Sequence, residues 1–335
     1  MNHSDSIEKK RKEFGSSLAI LAHHYQSDAV LAHADHAGDS LELARMIGKL
    51  DATHIVFCGV WFMAESAAIL CRPAQRVHIP DAKASCAMAD MASAMTVKKV
   101  LKHLRRDGRN VIPLTYVNSS AGVKGVVGEF GGSVCTSANA PTMLRWAMDQ
   151  GDGVLFLPDM HLGNNTADKM GIPEERRILV DTAFPAPNPD ADLFLWPGFC
   201  PVHDMYVPED VAAARKADPG ALVVVHPESP PVVVREADGS GSTSYLIKYA
   251  AEAPGGSTIY VGTEQNLVQR LADQYAGEKT IKHLDRGYCE DMAMITEEKL
   301  AHLLGRLETA LPVQCDPAVA APARLALERM LQACA

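Results

Sequence analysis

Three cysteines are the residues of this 335-residue chain whose chemistry most constrains its function. Cys86, Cys200 and Cys289 lie far apart in polar, turn-like segments, and none has the close C-x-x-C partner of a zinc knuckle or a ferredoxin-type run. If they converge in space, they supply three thiolates to one soft metal centre and leave its fourth position open. An open position is typical of a catalytic metal site, because a substrate can bind there.

The other cysteines are weaker ligand candidates. Cys58 and Cys71 are flanked by apolar residues, which indicates core positions, and Cys315 and Cys334 lie in the C-terminal tail. Cys135, in a glycine-rich region, is the main rival as a ligand.

A second kind of chemistry is indicated by His226-Pro227-Glu228, which follows a run of aliphatic residues. Because proline favours an extended backbone before it, His226 and Glu228 are expected to leave the strand on the same side. A partly buried glutamate beside an imidazole can have a pKa suited to proton transfer. We therefore predict Glu228 as a general base assisted by His226, and the alternative is an ion pair at the end of a strand.

The same i, i+2 spacing occurs twice more. His23 and Tyr25 carry donors suited to a carboxylate or a polarised carbonyl, and Tyr25 is predicted to act as an acid/base. Tyr116 and Asn118 are predicted to position substrate.

Hydroxyl-rich turns are candidates for anion binding. Ser40, Ser137, Ser242 and Thr243 each lie where a helix is expected to begin, and backbone N–H groups at a helix start attract anions. Ordinary N-capping is the alternative, and the two roles are compatible. His203, three residues after Cys200, is predicted to bind substrate beside the metal rather than to ligate it.

Alternating strands and helices must position these groups. Apolar, β-branched runs that end abruptly in polar residues are typical of buried parallel strands. The predicted strands are 18–25, 54–60, 111–118, 154–159, 221–228 and 258–264. The predicted helices are 40–49, 64–71, 94–106, 142–150, 208–216, 243–253 and 265–275, with two more in the tail after residue 297.

The strands group in pairs that repeat along the chain. His23, Tyr116 and His226 end the first strand of each pair and are separated by 93 and 110 residues. One of the three key cysteines follows the second strand of each pair, and ligands of open α/β sheets bind beyond the carboxyl ends of the strands. The sequence therefore predicts an α/β protein of three similar parallel-sheet units, which would build one central polar pocket if their strand ends pointed inward. The predicted units are 1–86, completed by the C-terminal helices, then 87–200 and 201–288, followed by a ligand loop and helices over 289–335.

Composition excludes few functions but disfavours some partners. The chain is 47% hydrophobic, and its 32 basic and 41 acidic residues give a formal net charge of −9. This charge disfavours nucleic acid and anionic membranes as partners. A polar N-terminus without an apolar signal region, and cysteines without secretion signals, favour a cytoplasmic protein.

Eight short motifs, taken together, identify a family. In chain order they are Ala22-His23-His24-Tyr25-Gln26, Gly38-Asp39-Ser40-Leu41-Glu42-Leu43, Tyr116-Val117-Asn118, Cys135-Thr136-Ser137-Ala138-Asn139-Ala140, Leu157-Pro158-Asp159, His226-Pro227-Glu228, Gly241-Ser242-Thr243-Ser244 and Gly262-Thr263-Glu264. The ordered set resembles the quinolinate synthase family over about residues 18–296, and the segment 161–165 resembles the family's post-strand loop.

The resemblance implies three Rossmann-like α/β/α domains in a pseudo-threefold arrangement around a [4Fe–4S] cluster, with ligands that map by context onto Cys86, Cys200 and Cys289. It implies condensation of iminoaspartate with dihydroxyacetone phosphate to quinolinate, and an L-aspartate oxidase or dehydrogenase as the supplier of iminoaspartate. One branch of the family has a C-x-x-C-x-x-C run at the last cysteine, which this chain lacks. The alternatives are an iron–sulfur hydro-lyase acting on another small acid, or an iron–sulfur protein that senses metal or redox state.

Overall fold

Three parallel β-sheets flanked by helices form the frame of the protein. The computed structural model describes residues 2–285 and 287–334. The strands are β1 (Leu18–His23), β2 (His36–Gly38), β3 (His54–Cys58), β4 (Arg76–His78), β5 (Val111–Tyr116), β6 (Ser133–Cys135), β7 (Gly153–Leu157), β8 (Arg177–Leu179), β9 (Leu193–Leu195), β10 (Leu222–Val225), β11 (Gly239–Ser240), β12 (Thr258–Gly262) and β13 (Thr280–His283).

The helices lie between and around these strands. They are α1 (His3–Phe14), α2 (Asp28–Leu31), α3 (Ser40–Ile47), α4 (Trp61–Leu70), α5 (Ala87–Asp90), α6 (Ala94–Leu104), α7 (Ala121–Glu129), α8 (Ala140–Met148), α9 (Met160–Met170), α10 (Pro201–Asp204), α11 (Pro208–Ala217), α12 (Pro231–Glu236), α13 (Thr243–Glu252), α14 (Gln265–Gln274), α15 (Glu290–Ala293), α16 (Glu297–Gly305) and α17 (Pro317–Ala333). The predicted α/β class is confirmed.

The three sheets share one strand order. The first is β2-β1-β3-β4, the third is β11-β10-β12-β13, and the second is β6-β5-β7-β9-β8 with one additional edge strand. Neighbouring strands pair in parallel throughout. The central strands are buried along their whole length, as expected where helices cover both faces of a parallel sheet. The prediction of three similar units is therefore confirmed at the level of sheet topology.

The strands end two or three residues earlier than predicted. β1, β5 and β10 end at His23, Tyr116 and Val225. The first two polar pairs therefore begin at the last strand residue, and the third pair begins one residue after it. His23 and Tyr116 are thus the last residues of their strands, and their partners in the polar pairs lie on short loops beyond the carboxyl ends, where ligands of such sheets bind. His226 and Glu228 both lie on the loop after β10.

The loop expected at 161–165 is wrong, because α9 covers it. Gly163, Asn164 and Asn165 have low helix propensity, which favours the loop. The Asp159 side chain overrides this tendency by capping the helix, accepting hydrogen bonds from the backbone N–H groups of His161 (2.8 Å) and Leu162 (2.9 Å).

The C-terminal helices pack on different parts of the molecule. α16 packs against α1 and α2 beside the first sheet, whereas α17 packs mainly against α7 and β6 of the second. α17 approaches α7 so closely that a Cβ atom on Gly128 would lie 1.9 Å from the backbone oxygen of Pro322. The unit boundaries given above remain a prediction. Within the described residues, no helix has the length and apolar character needed to cross a bilayer.

Candidate active site

One cavity collects side chains from beyond the carboxyl ends of all three sheets. Its volume is about 670 Å³, including the part open to solvent. The predicted site residues that line it are His23, Tyr25, Ser40, Cys86, Tyr116, Asn118, Ser137, Cys200, His203, His226, Glu228, Thr243 and Cys289. Residues up to 266 positions apart in the chain thus share one cavity.

Ser242 is the predicted site residue that does not line this cavity. Its hydroxyl caps α13, accepting a hydrogen bond from the backbone N–H of Tyr245 at 3.4 Å. The next residue, Thr243, faces the cavity instead.

The three cavity cysteines are positioned in the same way. Each is the N-cap residue of a four-residue helix: Cys86 of α5, Cys200 of α10 and Cys289 of α15. Each also lies two residues after a carbonyl that accepts a hydrogen bond from the first residue of a longer helix. These bonds run from Trp61 N to Ala84 O (2.7 Å), from Met160 N to Gly198 O (2.8 Å) and from Gln265 N to Gly287 O (2.6 Å).

The three thiols have raised pKa values. Burial raises the pKa of Cys86, of Cys200 and of Cys289, the last to about 11, although a backbone N–H of the following turn opposes the rise in each case. Partly buried thiols whose pKa values are raised in this way stay protonated at neutral pH unless a cation compensates the charge of the thiolate, as a bound metal does. All three cysteines are free, and as a donor set they fit a soft metal centre.

His203 joins one cysteine to the acid–base residues. Its Nδ1 lies 2.8 Å from Glu228 Oε2 and 3.3 Å from Cys200 Sγ, and its Nε2 lies 3.1 Å from Thr263 Oγ1. Donor atoms of Cys200, His203 and Glu228 all lie within 4.8 Å of one another, so this trio could itself hold a metal ion.

Glu228 has two hydrogen-bond donors that favour its ionised form. The Tyr116 hydroxyl donates to Oε1 at 2.6 Å, and His203 approaches Oε2. Burial alone would raise the pKa of Glu228, but the His226 and His203 imidazoles and the hydrogen bonds from His203 and Tyr116 outweigh it and hold the pKa below its ordinary value. The carboxylate is therefore available as a proton acceptor.

The histidines of the two equivalent pairs are neutral and share one tautomer. Burial lowers the pKa of His23 and of His226 to about 3 each. Nδ1 of His23 accepts the backbone N–H of Tyr25 at 3.2 Å, and Nδ1 of His226 accepts that of Glu228 at 3.4 Å. Each imidazole consequently carries its proton on Nε2 and can donate one hydrogen bond there.

Sequence reasoning missed or left open several cavity residues. Thr263 bonds both the Tyr25 hydroxyl (2.5 Å) and His203, yet its only sequence signal is its place in the Gly262-Thr263-Glu264 motif. Glu264 caps α14, as an acidic residue at a helix start should, and also lines the cavity; burial raises its pKa to about 7. An N-cap signal alone cannot reveal that the cap faces a cavity.

The lining is polar but poorly satisfied. Four buried polar atoms have no hydrogen-bond partner among the described residues: Asn118 Oδ1, Thr136 Oγ1, Thr243 Oγ1 and Glu264 Oε1. No lysine or arginine among the described residues lines the cavity. Because buried polar groups are normally paired, these atoms indicate a polar ligand held by hydrogen bonds rather than by fixed cations of the described lining.

Comparisons with known proteins agree on one family. A family model described as "NadA: Quinolinate synthetase A protein" matches residues 5–332. A curated relative from Corynebacterium glutamicum named "Quinolinate synthase" is 45% identical over 339 residues, covering 97% of this chain and 86% of the relative. A relative of the same name from Bacillus subtilis is 41% identical over 334 residues, covering 96% of this chain and 90% of the relative.

Proposed function

The chain belongs to the quinolinate synthase family of enzymes, and we propose that it condenses iminoaspartate with dihydroxyacetone phosphate to form quinolinate, releasing phosphate and water. The observation that carries this proposal is the meeting of three equivalent cysteines and the ionised Glu228 in one polar cavity.

In this proposal Cys86, Cys200 and Cys289 hold a [4Fe–4S] cluster. With three thiolate ligands, such a cluster keeps one iron open to act as a Lewis acid on a substrate oxygen. The support from this chain is the donor set: three free thiols in equivalent local structures, on one cavity, each needing a cation to ionise. The free thiols also suit a reducing cytoplasm, which the proposal includes.

Glu228 is the proposed general base. Glu228 is buried and ionised, and the hydrogen bond from Tyr116 fixes the orientation of its carboxylate. The carboxylate can therefore take a proton from a carbon or nitrogen of the substrate. His226 stacks on His203 with ring centroids 4.6 Å apart, and its Nε2–H is suited to donate to the same substrate region.

Tyr25 and His23 are proposed to act on the carbonyl and carboxylate groups. Burial, with the nearby Glu228 charge, raises the pKa of Tyr25, so the hydroxyl is protonated and can donate a hydrogen bond or a proton. His23 offers its Nε2–H from the same side. Tyr116 and Asn118 hold the substrate from the second sheet.

The anionic groups of the substrates are proposed to bind at the hydroxyl-rich helix starts. Ser40 and Thr243 are the first residues of α3 and α13, and both line the cavity together with Ser137. Backbone N–H groups and hydroxyls at these positions replace the cations that the described lining lacks. We propose an L-aspartate oxidase or dehydrogenase as the source of iminoaspartate.

The deciding experiment is anaerobic purification, with iron and sulfide counted and quinolinate assayed from the two substrates. We expect iron and sulfide in equal amounts, and quinolinate formation that requires both substrates. A protein that holds zinc without sulfide would favour the Cys200, His203 and Glu228 trio as the metal site and overturn the cluster. A loaded cluster without quinolinate formation would overturn the reaction and favour a hydro-lyase acting on another small acid.

A further inference from the structure

Arg270, which does not line the cavity, holds the backbone on both sides of Tyr25, which does. Its guanidinium donates to the carbonyl oxygens of His24 (2.9 Å) and Gln26 (2.6 Å). The side chain is 24% exposed and is itself anchored by Asp28 at 2.5 Å. Fixing the carbonyls before and after a residue fixes its backbone dihedrals, and with them the direction of its side chain.

Asn165 does the same for Glu228. Its Nδ2 donates to the carbonyl oxygens of Pro227 and Ser229, at 2.8 Å each. Asn165 is 2% exposed and lies outside the cavity lining. The loop that carries the proposed base is therefore held from α9, a helix of the second sheet.

Lys124 does the same for Asn118. Its buried ammonium donates to the carbonyl oxygens of Val117 (2.8 Å) and Ser119, and it lies 5.5 Å from the centroid of the Phe62 ring. Each of the three loops that follow β1, β5 and β10 thus has its own pair of flanking carbonyls bound by one side chain.

Two of the three side chains occupy equivalent positions. Arg270 and Asn165 each lie six residues after the N-cap of their helix, Glu264 in α14 and Asp159 in α9. Each reaches the loop of a different sheet, from the third to the first and from the second to the third. The equivalent residue of α4 is Ser66, whose hydroxyl is already used by the Phe62 carbonyl at 2.7 Å, and Lys124 supplies the third contact from within its own unit.

We propose that Arg270, Asn165 and Lys124 are positioning residues, which hold Tyr25, Glu228 and Asn118 in the geometry the reaction needs. This inference rests on the proposed function for the roles of the three residues held. Preorganised side chains matter because a displacement of about 1 Å at a reacting group can lower the rate roughly a hundredfold. Since two of the contacts join different sheets, the site is complete only when the units are docked.

The opposing reading is that these side chains only stabilise the fold, and the chain contains a matched control. Lys279 is also buried, donates to two carbonyls (Ala250 O at 2.9 Å and Ala251 O at 2.7 Å) and lies 4.6 Å from the centroid of an aromatic ring, that of Tyr275. It holds the end of α13 rather than a cavity loop.

The first experiment compares Lys124→Met with Lys279→Met in cluster-reconstituted protein. Both variants lose two hydrogen bonds and a ring contact. Lys279→Met also loses an ion pair with the exposed Glu278 carboxylate (3.4 Å), which contributes little, so we expect similar decreases in melting temperature. Only Lys124→Met should lower kcat/KM, by about tenfold or more and mainly through KM, because Asn118 is proposed to bind substrate. Equal activities of the two variants per cluster-loaded chain would overturn the inference.

The second experiment compares Asn165→Leu with Asn164→Leu, a neighbouring change on the same helix. Asn165→Leu should lower kcat, about tenfold to a hundredfold, with little change in KM, because Glu228 acts in the chemical step. Asn164→Leu should retain the wild-type values. A rise in KM alone, or equal effects of the two changes, would contradict the assigned role.

Hydrogen exchange separates this inference from the proposed function. In Asn165→Leu the backbone amides of Glu228 and Ser229 should exchange about tenfold faster while those of β10 are unchanged, whatever reaction the enzyme catalyses. If the wild-type protein made no quinolinate, this measurement would still test the backbone contacts. Unchanged protection at both amides would overturn them.

Discussion

Two sets of cavity residues follow the same pseudo-threefold plan, but only one of them repeats the same residue type. We call Cys86, Cys200 and Cys289 the cysteine wall and the other polar lining residues the polar wall. The cysteine wall repeats one residue type, one N-cap position and one backbone hydrogen bond three times. The polar wall uses equivalent loops after β1, β5 and β10, yet the residue held in each is different: Tyr25, Asn118 or Glu228. The proposed cluster would require equal donors, whereas the two proposed substrates would require unlike partners. The comparison teaches that the cysteines preserve the repeat in residue type and that the polar residues depart from it.

The largest expected effect tests the equivalence of the cysteine wall. Changing Cys86, Cys200 or Cys289 to Ser should abolish cluster retention and quinolinate formation in each case, because a buried hydroxyl is a poor iron ligand compared with a thiolate. Iron and sulfide content after anaerobic reconstitution checks this. Cys135→Ser is the control and should retain its cluster, since Cys135 lies outside the cavity lining. One cavity variant that kept a full cluster would break the equivalence.

The next effect tests whether the polar wall acts independently of the cysteine wall. Glu228→Gln should lower kcat by about 10²–10⁴-fold, the usual contribution of a general base, while the cluster absorption and iron content stay at wild-type values. Steady-state kinetics on reconstituted protein, alongside iron analysis, measure both. Loss of the cluster in this variant would show instead that Glu228 belongs to the metal site together with Cys200 and His203.

A smaller effect concerns the neutral histidines of the polar wall. His23 has a pKa near 3 in the folded protein because of burial, against 6.5 for the free side chain. Below about pH 6.5 the unfolded chain therefore binds a proton that the folded protein does not bind. As the pH is lowered, this group reduces the free energy of unfolding by up to about 1.4 kcal/mol per pH unit. When the pH is lowered from 7 to 5, the free energy of unfolding of His23→Gln should decrease by up to about 2 kcal/mol less than that of the wild type. Urea unfolding at both pH values tests this, and equal losses would contradict a neutral, buried His23.

The smallest effect separates helix capping from substrate binding at the start of α13. Ser242→Ala should cost about 1 kcal/mol of stability or less, through loss of a helix cap, and leave kcat/KM unchanged. Thr243→Ala should lower kcat/KM and leave stability nearly unchanged, because Thr243 Oγ1 faces the cavity without a partner among the described residues. Thermal melts and kinetics of the two variants decide between the roles. A drop in kcat/KM for Ser242→Ala would restore Ser242 to the substrate site.

Much of the fold could be predicted because the signals are local. The aliphatic runs around β1, β5 and β10 could be predicted as strands because a strand buried on both faces of a sheet needs a continuous run of apolar residues. The failure at α9 is equally instructive, since the low helix propensity of Gly163 and Asn165 was outweighed by a cap and by packing. The hydrogen bonds of Asn165 to the loop of Glu228 could not have been recognised, because its partners lie 62 and 64 residues further along the chain.

The sequence by itself determined the parallel α/β class, the three cysteines and the polar pairs that follow the strands, since residue type and short spacing encode burial and strand ends. Only the tertiary structure decided that these groups share one cavity, that Ser242 caps a helix beside it, and that Arg270 holds the loop of Tyr25 from another sheet. The physical reason is that docking between units depends on shape and hydrogen bonding across distant segments, which no local periodicity of the chain records.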